Sequence, residues 1–205
     1  VQALQVTHVV VGEDFRFGKG RKGDIHFLQE QAVRHRFGFT YVPPMMQDDE
    51  PISSTRIRNH LTEGNIKEAA KLLGRPYQLY GRVVHGDKRG RKMNTPTANV
   101  RVEELHLPRF GVYAVEFAVL ESPDCEKHPP SWQYGVANLG IRPTFGVNEP
   151  LLEVHGFDAL GDIYGKYQRV RLVQHVRDEQ VFADHHTLVA QIQKDITAAK
   201  EIFGV

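Results

Sequence analysis

Between Tyr77 and Val176 the chain carries six short runs rich in β-branched and aromatic residues, with no convincing helix among them. The runs are 77–85, 98–102, 111–120, 132–139, 151–157 and 169–176. Residues of this kind fit a pleated, half-buried surface, and Gly, Pro, Asn and Asp mark the turns between them. Such a pattern predicts an antiparallel barrel or sandwich. The polar, proline-rich insert 121–131 reads as a mobile surface hairpin. A helix from about Asp184 to Phe203 closes the chain, with Leu188, Ile192, Ile196, Ala199, Ile202 and Phe203 as its apolar stripe. Trp132 and Tyr134 alternate on a strand and are expected in the core.

Upstream the texture differs. Residues 7–12 are β-branched and end in Gly12, as expected of a buried strand in a parallel sheet. A loop, 13–23, interleaves Gly18, Gly20 and Gly23 with Arg16, Lys19, Arg21 and Lys22. Asp24 can cap a helix to about Phe37, with Ile25, Leu28, Ala32 and Val33 at helical spacing. Residues 39–42 form another strand, stopped by Pro43 and Pro44. Ser53 or Ser54 caps a helix to Leu61 that Gly64 ends, and 65–73 is a short helix ended by Gly74. This alternation implies an α/β unit, so the chain divides into domains 1–74 and 75–205.

Composition narrows the class of partner. The chain has 205 residues, 40% hydrophobic and 25% charged, and a formal net charge of +1, which does not mark a chain-wide polyanion binder. Basic residues gather instead at 16–22 and 88–92, which favours a local anionic ligand. The single cysteine, Cys125, excludes an intrachain disulfide and suits a reducing compartment. No apolar run is long enough to span a bilayer and no signal peptide is visible, so the expected location is cytoplasmic, with no membrane partner. Val1 in place of methionine, with a strand so soon after it, suggests part of a longer protein.

Chemistry concentrates at 81–99. A glycine-rich basic loop, including Gly86 and Arg91, precedes Pro96, Thr97, Ala98 and Asn99. Glycines let backbone N–H groups approach a phosphate, and Thr97 and Asn99, two apart on an extended segment, share a face. Their hard oxygens suit Mg²⁺ between the protein and nucleotide phosphates. A solvent-exposed hairpin is the bland alternative for the loop alone. Glu153, flanked by Leu152 and Val154, is the candidate base for a hydroxyl acceptor, or a solvated strand carboxylate. Ser53, Ser54 and Arg58, at a helix start, form either a phosphate receptor or an ordinary serine cap. His185 and His186 read as capping sequence rather than a zinc site.

Several motifs then match one family in order. The stretch 81–99 resembles the opening of a riboflavin kinase domain, where a glycine-containing flap precedes Pro-Thr-Ala-Asn. Residues 111–113, 135–145, 152–155, 162–165 and 177–182 continue the resemblance, while 11–18 and 52–58 are similar to the second half of an FMN adenylyltransferase domain. The whole resembles the bacterial bifunctional riboflavin kinase/FAD synthetase family. It departs in Asn94 and Thr95, where a glycine and a bulky apolar residue are usual, and in Gly156. The chain also has no His-x-Gly-His nucleotide motif, so the adenylyltransferase is expected to lack its first half.

The resemblance implies a Greek-key β-barrel that phosphorylates riboflavin with ATP and Mg²⁺. Thr97 and Asn99 would bind the metal and the phosphates, and Glu153 would be the general base. Gly86 and Arg91 would belong to the flap, Tyr164 would lie near the nucleotide, and Arg177, Gln180 and Phe182 would line the flavin side. The implied ligands are ATP, riboflavin, FMN and, in the parent enzyme, FAD. Two rivals stand beside this: a nucleic-acid-binding barrel with basic loops, and an N-terminal remnant that only docks on or regulates the barrel.

Overall fold

A computed structural model describes residues 5–85, 96–102, 106–122, 130–144, 147–159 and 161–205. They divide into two compact units, Val1–Ser53 and Ser54–Val205.

In the first unit, β1 (His8–Gly12) and β2 (Gly38–Val42) pair in parallel through α1 (Ile25–His35), as a parallel pair requires a crossover. The Asp24 carboxylate accepts the Phe27 N–H at 2.9 Å and starts α1, and Arg36 ends it in the left-handed conformation. The expected burial of β1 is corrected: Val10 is 61% exposed. Among the described residues the sheet has two strands, and along β1 exposed residues alternate with half-buried ones. A minimal hairpin of β3 (Met46–Gln47) and β4 (Glu50–Pro51) follows, with Asp48 and Asp49 both at positive φ, as its two-residue turn demands.

The second unit opens with α2 (Ser54–Glu63) and α3 (Ile66–Leu73), and Gly64 and Gly74 end them at positive φ. Leu61, Ile66 and Ala69 share one apolar cluster with Leu79, Tyr113 and Leu172. The packing division therefore falls at Ser53–Ser54, whereas the change in sequence texture falls near Gly74.

Six strands then close a barrel: β5 (Tyr77–Val84), β6 (Ala98–Val102), β7 (Gly111–Leu120), β8 (Gln133–Thr144), β9 (Val147–Gly156) and β10 (Tyr167–Arg177). Their order is β10-β5-β6-β9-β8-β7, antiparallel throughout. Strands β7, β8 and β9 are successive neighbours and β10 returns beside β7, which is a Greek key. Alternation sends Val83, Val100, Tyr113, Phe117, Leu139, Leu152, Val154 and Val170 into the barrel.

A final helix, α4 (His185–Phe203), is capped by Asp184, whose carboxylate accepts the Thr187 N–H at 2.8 Å. It packs outside the barrel, where Val112, Ala114 and Val136 meet Ala199, Ile196, Ile202 and Phe203. The expectation of Trp132 and Tyr134 in the core is corrected too. Tyr134 is 42% exposed and stacks on Phe203 at 4.3 Å, and the Arg171 guanidinium lies 3.6 Å over Trp132. Tyr134 falls on the outward alternation of β8, and its apolar partner is α4. The predicted hairpin at 121–131 lies mostly outside the described residues.

Candidate functional site

Register across β6, β9 and β8 brings three polar side chains into one row. Glu153 stands directly opposite Asn99 on one side and Asn138 on the other. Its neighbours Leu152 and Val154 are buried inside the barrel, so this row lies on the outer face. Directly opposed residues hold their Cβ atoms roughly 5 Å apart, within reach of one small substituent. The strands that supply the row are the same ones whose other faces form the core, so their backbone is rigidly held.

Asn99 is only 6% exposed although it faces outward. Its Oδ1 has no hydrogen-bond partner among the described residues. Leaving a buried carbonyl oxygen unpaired costs about 1–3 kcal/mol, which a ligand can recover. A neutral hard oxygen suits a divalent cation. Thr97, half-buried, precedes it by two residues. Next to this pair, the His155 ring approaches the Pro96 carbonyl oxygen at 3.0 Å through Nδ1. No group of three or more His, Cys, Asp or Glu side chains able to hold a metal occurs among the described residues. An ion here would rest mainly on hydroxyl, amide and phosphate oxygens.

Tyr164 lies at the same end of the barrel, where β5 ends and β10 begins. Its ring stacks on His85 with centroids 4.0 Å apart. The turn that carries it is clamped to β5: Val83 donates to Lys166 O at 2.8 Å, Gly165 to Val83 O at 3.0 Å, and Arg82 Nε to Gly165 O at 3.1 Å. Gly86 and Arg91 lie outside the described residues, as do Asn94 and Thr95.

On the other flank, the segment after β10 folds back over β8. Gly140 leaves room for the Glu179 carboxylate beside the row: a Cβ there would come within 2.1 Å of Glu179 Oε1 and 3.5 Å of Asn138 Nδ2, so a larger residue would displace that side chain. Arg177 is fastened below it, donating from Nε and Nη2 to both Asp195 oxygens at 2.8 and 2.7 Å. Asp195 is 4% exposed and also accepts from Gln191. Arg177 lies over Phe182 at 5.7 Å, and Gln180 is exposed. Arg177, Gln180 and Phe182 thus gather at the junction of β10 and α4.

The structure brings Thr97, Asn99 and Glu153 together, with Tyr164 at the same barrel end. Ser53, Ser54 and Arg58 are not part of this row: Ser54 begins α2, and Arg58 Nη2 donates to Thr55 Oγ1 at 3.2 Å. Sequence reasoning missed Asn138, His155, Glu179 and Asp195. The first two carried a signal, since each alternates with buried neighbours on its strand. The other two depend on contacts between segments distant in sequence.

The fold is a closed Greek-key β-barrel with a polar row on its outer face, and comparison with known proteins gives its family. The riboflavin kinase family model matches residues 73–203, and a FAD synthetase model matches residues 1–56. The chain belongs to the riboflavin kinase family. It is 42% identical over 205 residues to the bifunctional riboflavin kinase/FMN adenylyltransferase of Escherichia coli strain K12. It is 38% identical over 207 residues to the protein of the same description from Buchnera aphidicola. These alignments cover 100% of the chain but only 63% and 64% of the two relatives. A crystal structure described as a macrolide-efflux protein from Streptococcus pneumoniae superposes with a TM-score of 0.77 at 34% identity, covering 95% of this chain and 60% of that one. No helix among the described residues is long and apolar enough to cross a membrane.

Proposed function

We propose that the barrel transfers the γ-phosphate of ATP to the 5′-hydroxyl of riboflavin's ribityl chain, giving FMN and ADP. The observation that carries this is the row Asn99–Glu153–Asn138, a carboxylate between two amides on a rigid outer face. Glu153 accepts the proton of the ribityl hydroxyl as its oxygen attacks the γ-phosphorus, and the bond to the bridging oxygen of ADP breaks. Asn138 orients the carboxylate or the hydroxyl beside it. Thr97 and the unpartnered Oδ1 of Asn99 would hold Mg²⁺, which when bound offsets negative charge on the nucleotide phosphates. The Tyr164–His85 stack borders the nucleotide, and the segment containing Arg177, Gln180 and Phe182 borders the flavin.

On this proposal residues 75–205 are the kinase domain, and 1–74 are the C-terminal part of an adenylyltransferase domain. Ser53, Ser54 and Arg58 supply its phosphate element, and in the longer protein FMN is converted to FAD. A cytoplasmic setting accords with the single cysteine. Incubation of the chain with ATP, MgCl₂ and riboflavin tests the proposal by chromatography of the flavins. FMN without FAD is expected, since no His-x-Gly-His motif is present. No FMN would overturn the kinase assignment, and substantial FAD would overturn the division of labour.

A further inference from the structure

We infer that His155 is a positioning residue that holds the segment carrying Thr97 and Asn99 in place, by donating its Nδ1–H to the Pro96 carbonyl. The inference rests on the kinase proposal for its functional meaning, but its geometry is independent of it.

Pro96 has no N–H to offer a neighbouring strand, and the β6–β9 ladder begins only at Ala98 opposite Val154. Pro96 and Thr97 therefore lie beyond the registered strand pairs, at the mouth of the loop that precedes them. The contact of His155 Nδ1 with Pro96 O, at 3.0 Å, bridges that gap. A carbonyl can only accept, so Nδ1 carries the proton, and in the neutral ring Nε2 is left as an acceptor. His155 follows Glu153 by two residues on the same outward face of β9. It sits opposite Val136, where α4 packs. One strand thus supplies both the carboxylate and the tie that fixes the oxygen ligands across from it. A rigid offset between base and ligands is what in-line transfer needs, because small displacements of a reacting group lower rates steeply.

Partners that orient a metal's ligands without touching the metal commonly contribute about 10- to 100-fold in affinity or activity. The test compares His155→Ala, His155→Phe and His155→Asn in the full chain. Asparagine can present an N–H near the position of Nδ1, whereas phenylalanine keeps ring volume without a donor. Calorimetric titration with ADP, with and without MgCl₂, reads ligand positioning directly, and steady-state assays separate kcat from the KM for ATP. Expected is a loss of about 10- to 100-fold in Mg²⁺-dependent nucleotide affinity for the Ala and Phe variants, with His155→Asn within about threefold of the wild type. Melting temperatures should not follow that ranking.

Wild-type affinity in His155→Ala, or equal impairment of all three variants, would overturn the inference. Mg²⁺-dependent ADP binding without FMN formation would overturn the kinase proposal alone, and the titrations would still decide the role of His155. Absence of Mg²⁺-dependent binding in the wild type would overturn both.

Discussion

The inner and outer faces of β6, β8 and β9 are built by the same alternation and do opposite work. Inward, Val100, Leu139, Leu152 and Val154 are fully buried in one cluster. Outward, the same strands present Asn99, Asn138, Glu153 and His155. The inner face is governed by volume, since a close-packed interior registers every missing methylene. On the proposed function the outer face is governed by chemistry: a near-isosteric replacement there would preserve the fold and still end the reaction. One set of strands thus gives the row rigidity from one side and, on the proposed function, reactivity from the other.

The contrast can be broken most sharply at Glu153. Glu153→Gln keeps the side chain's size and removes its basicity, so turnover should fall about 10²- to 10⁴-fold while flavin binding and melting temperature persist. Near-normal turnover would remove Glu153 from the mechanism. Asp195→Ala addresses the buried pair that holds β10 to α4. Stranding the Arg177 guanidinium should cost about 3–5 kcal/mol in denaturant unfolding. A loss under 1 kcal/mol would mean that the junction is held by apolar packing alone.

The inner face is probed by Leu152→Ala, beside Glu153. It should cost about 2–5 kcal/mol of stability, with kcat of the folded fraction little changed. A large kcat defect without a stability loss would erase the distinction between the faces. Gln168 is the exception that sharpens it. It points into the barrel opposite Gly81, is 0% exposed, and neither amide atom has a hydrogen-bond partner among the described residues. Gln168→Leu should therefore raise stability by about 1 kcal/mol or more, and a lower unfolding midpoint would contradict this.

The smallest expected effect is a pH dependence from His175, whose ring meets Tyr113 edge-on at 5.0 Å. Burial lowers its pKa below the usual imidazole value, and Arg109 adds to this against the opposing carboxylate of Asp178. A depressed folded-state pKa means that the unfolded chain binds the proton first. The contribution of His175 to stability is complete above about pH 6.5 and is lost as pH falls through the folded-state value. Melting temperatures between pH 8 and pH 5 should fall less steeply in His175→Gln than in the wild type. Superimposable slopes would rule the group out.

Much of this molecule could be read in advance because its determinants are local. The spans of β6 and β7 coincide with their runs, and Asp24, Asp184 and Gly74 cap where their chemistry predicts. Pro96, Thr97, Ala98, Asn99 and Glu153 were visible as candidates for the same reason. The exposure of β1 and the place of Tyr134 were misjudged because burial depends on what covers a face. No single strand contains that information.

By itself, then, the sequence determined the number and order of the barrel strands, the caps at Asp24, Gly74 and Asp184, and the apolar side of β6 and β7, since caps, turns and alternation act over a few residues. The longer reach of β8 and β9 and the β3–β4 hairpin were not in it. Tertiary structure alone decided that Asn99 and Asn138 flank Glu153, that Arg177 meets Asp195, that Gly140 receives Glu179, and that His155 reaches Pro96. These are consequences of register and barrel closure. A shift of one residue in pairing would turn every polar side chain of the row inward, and only the summed burial of the core selects the register that avoids it.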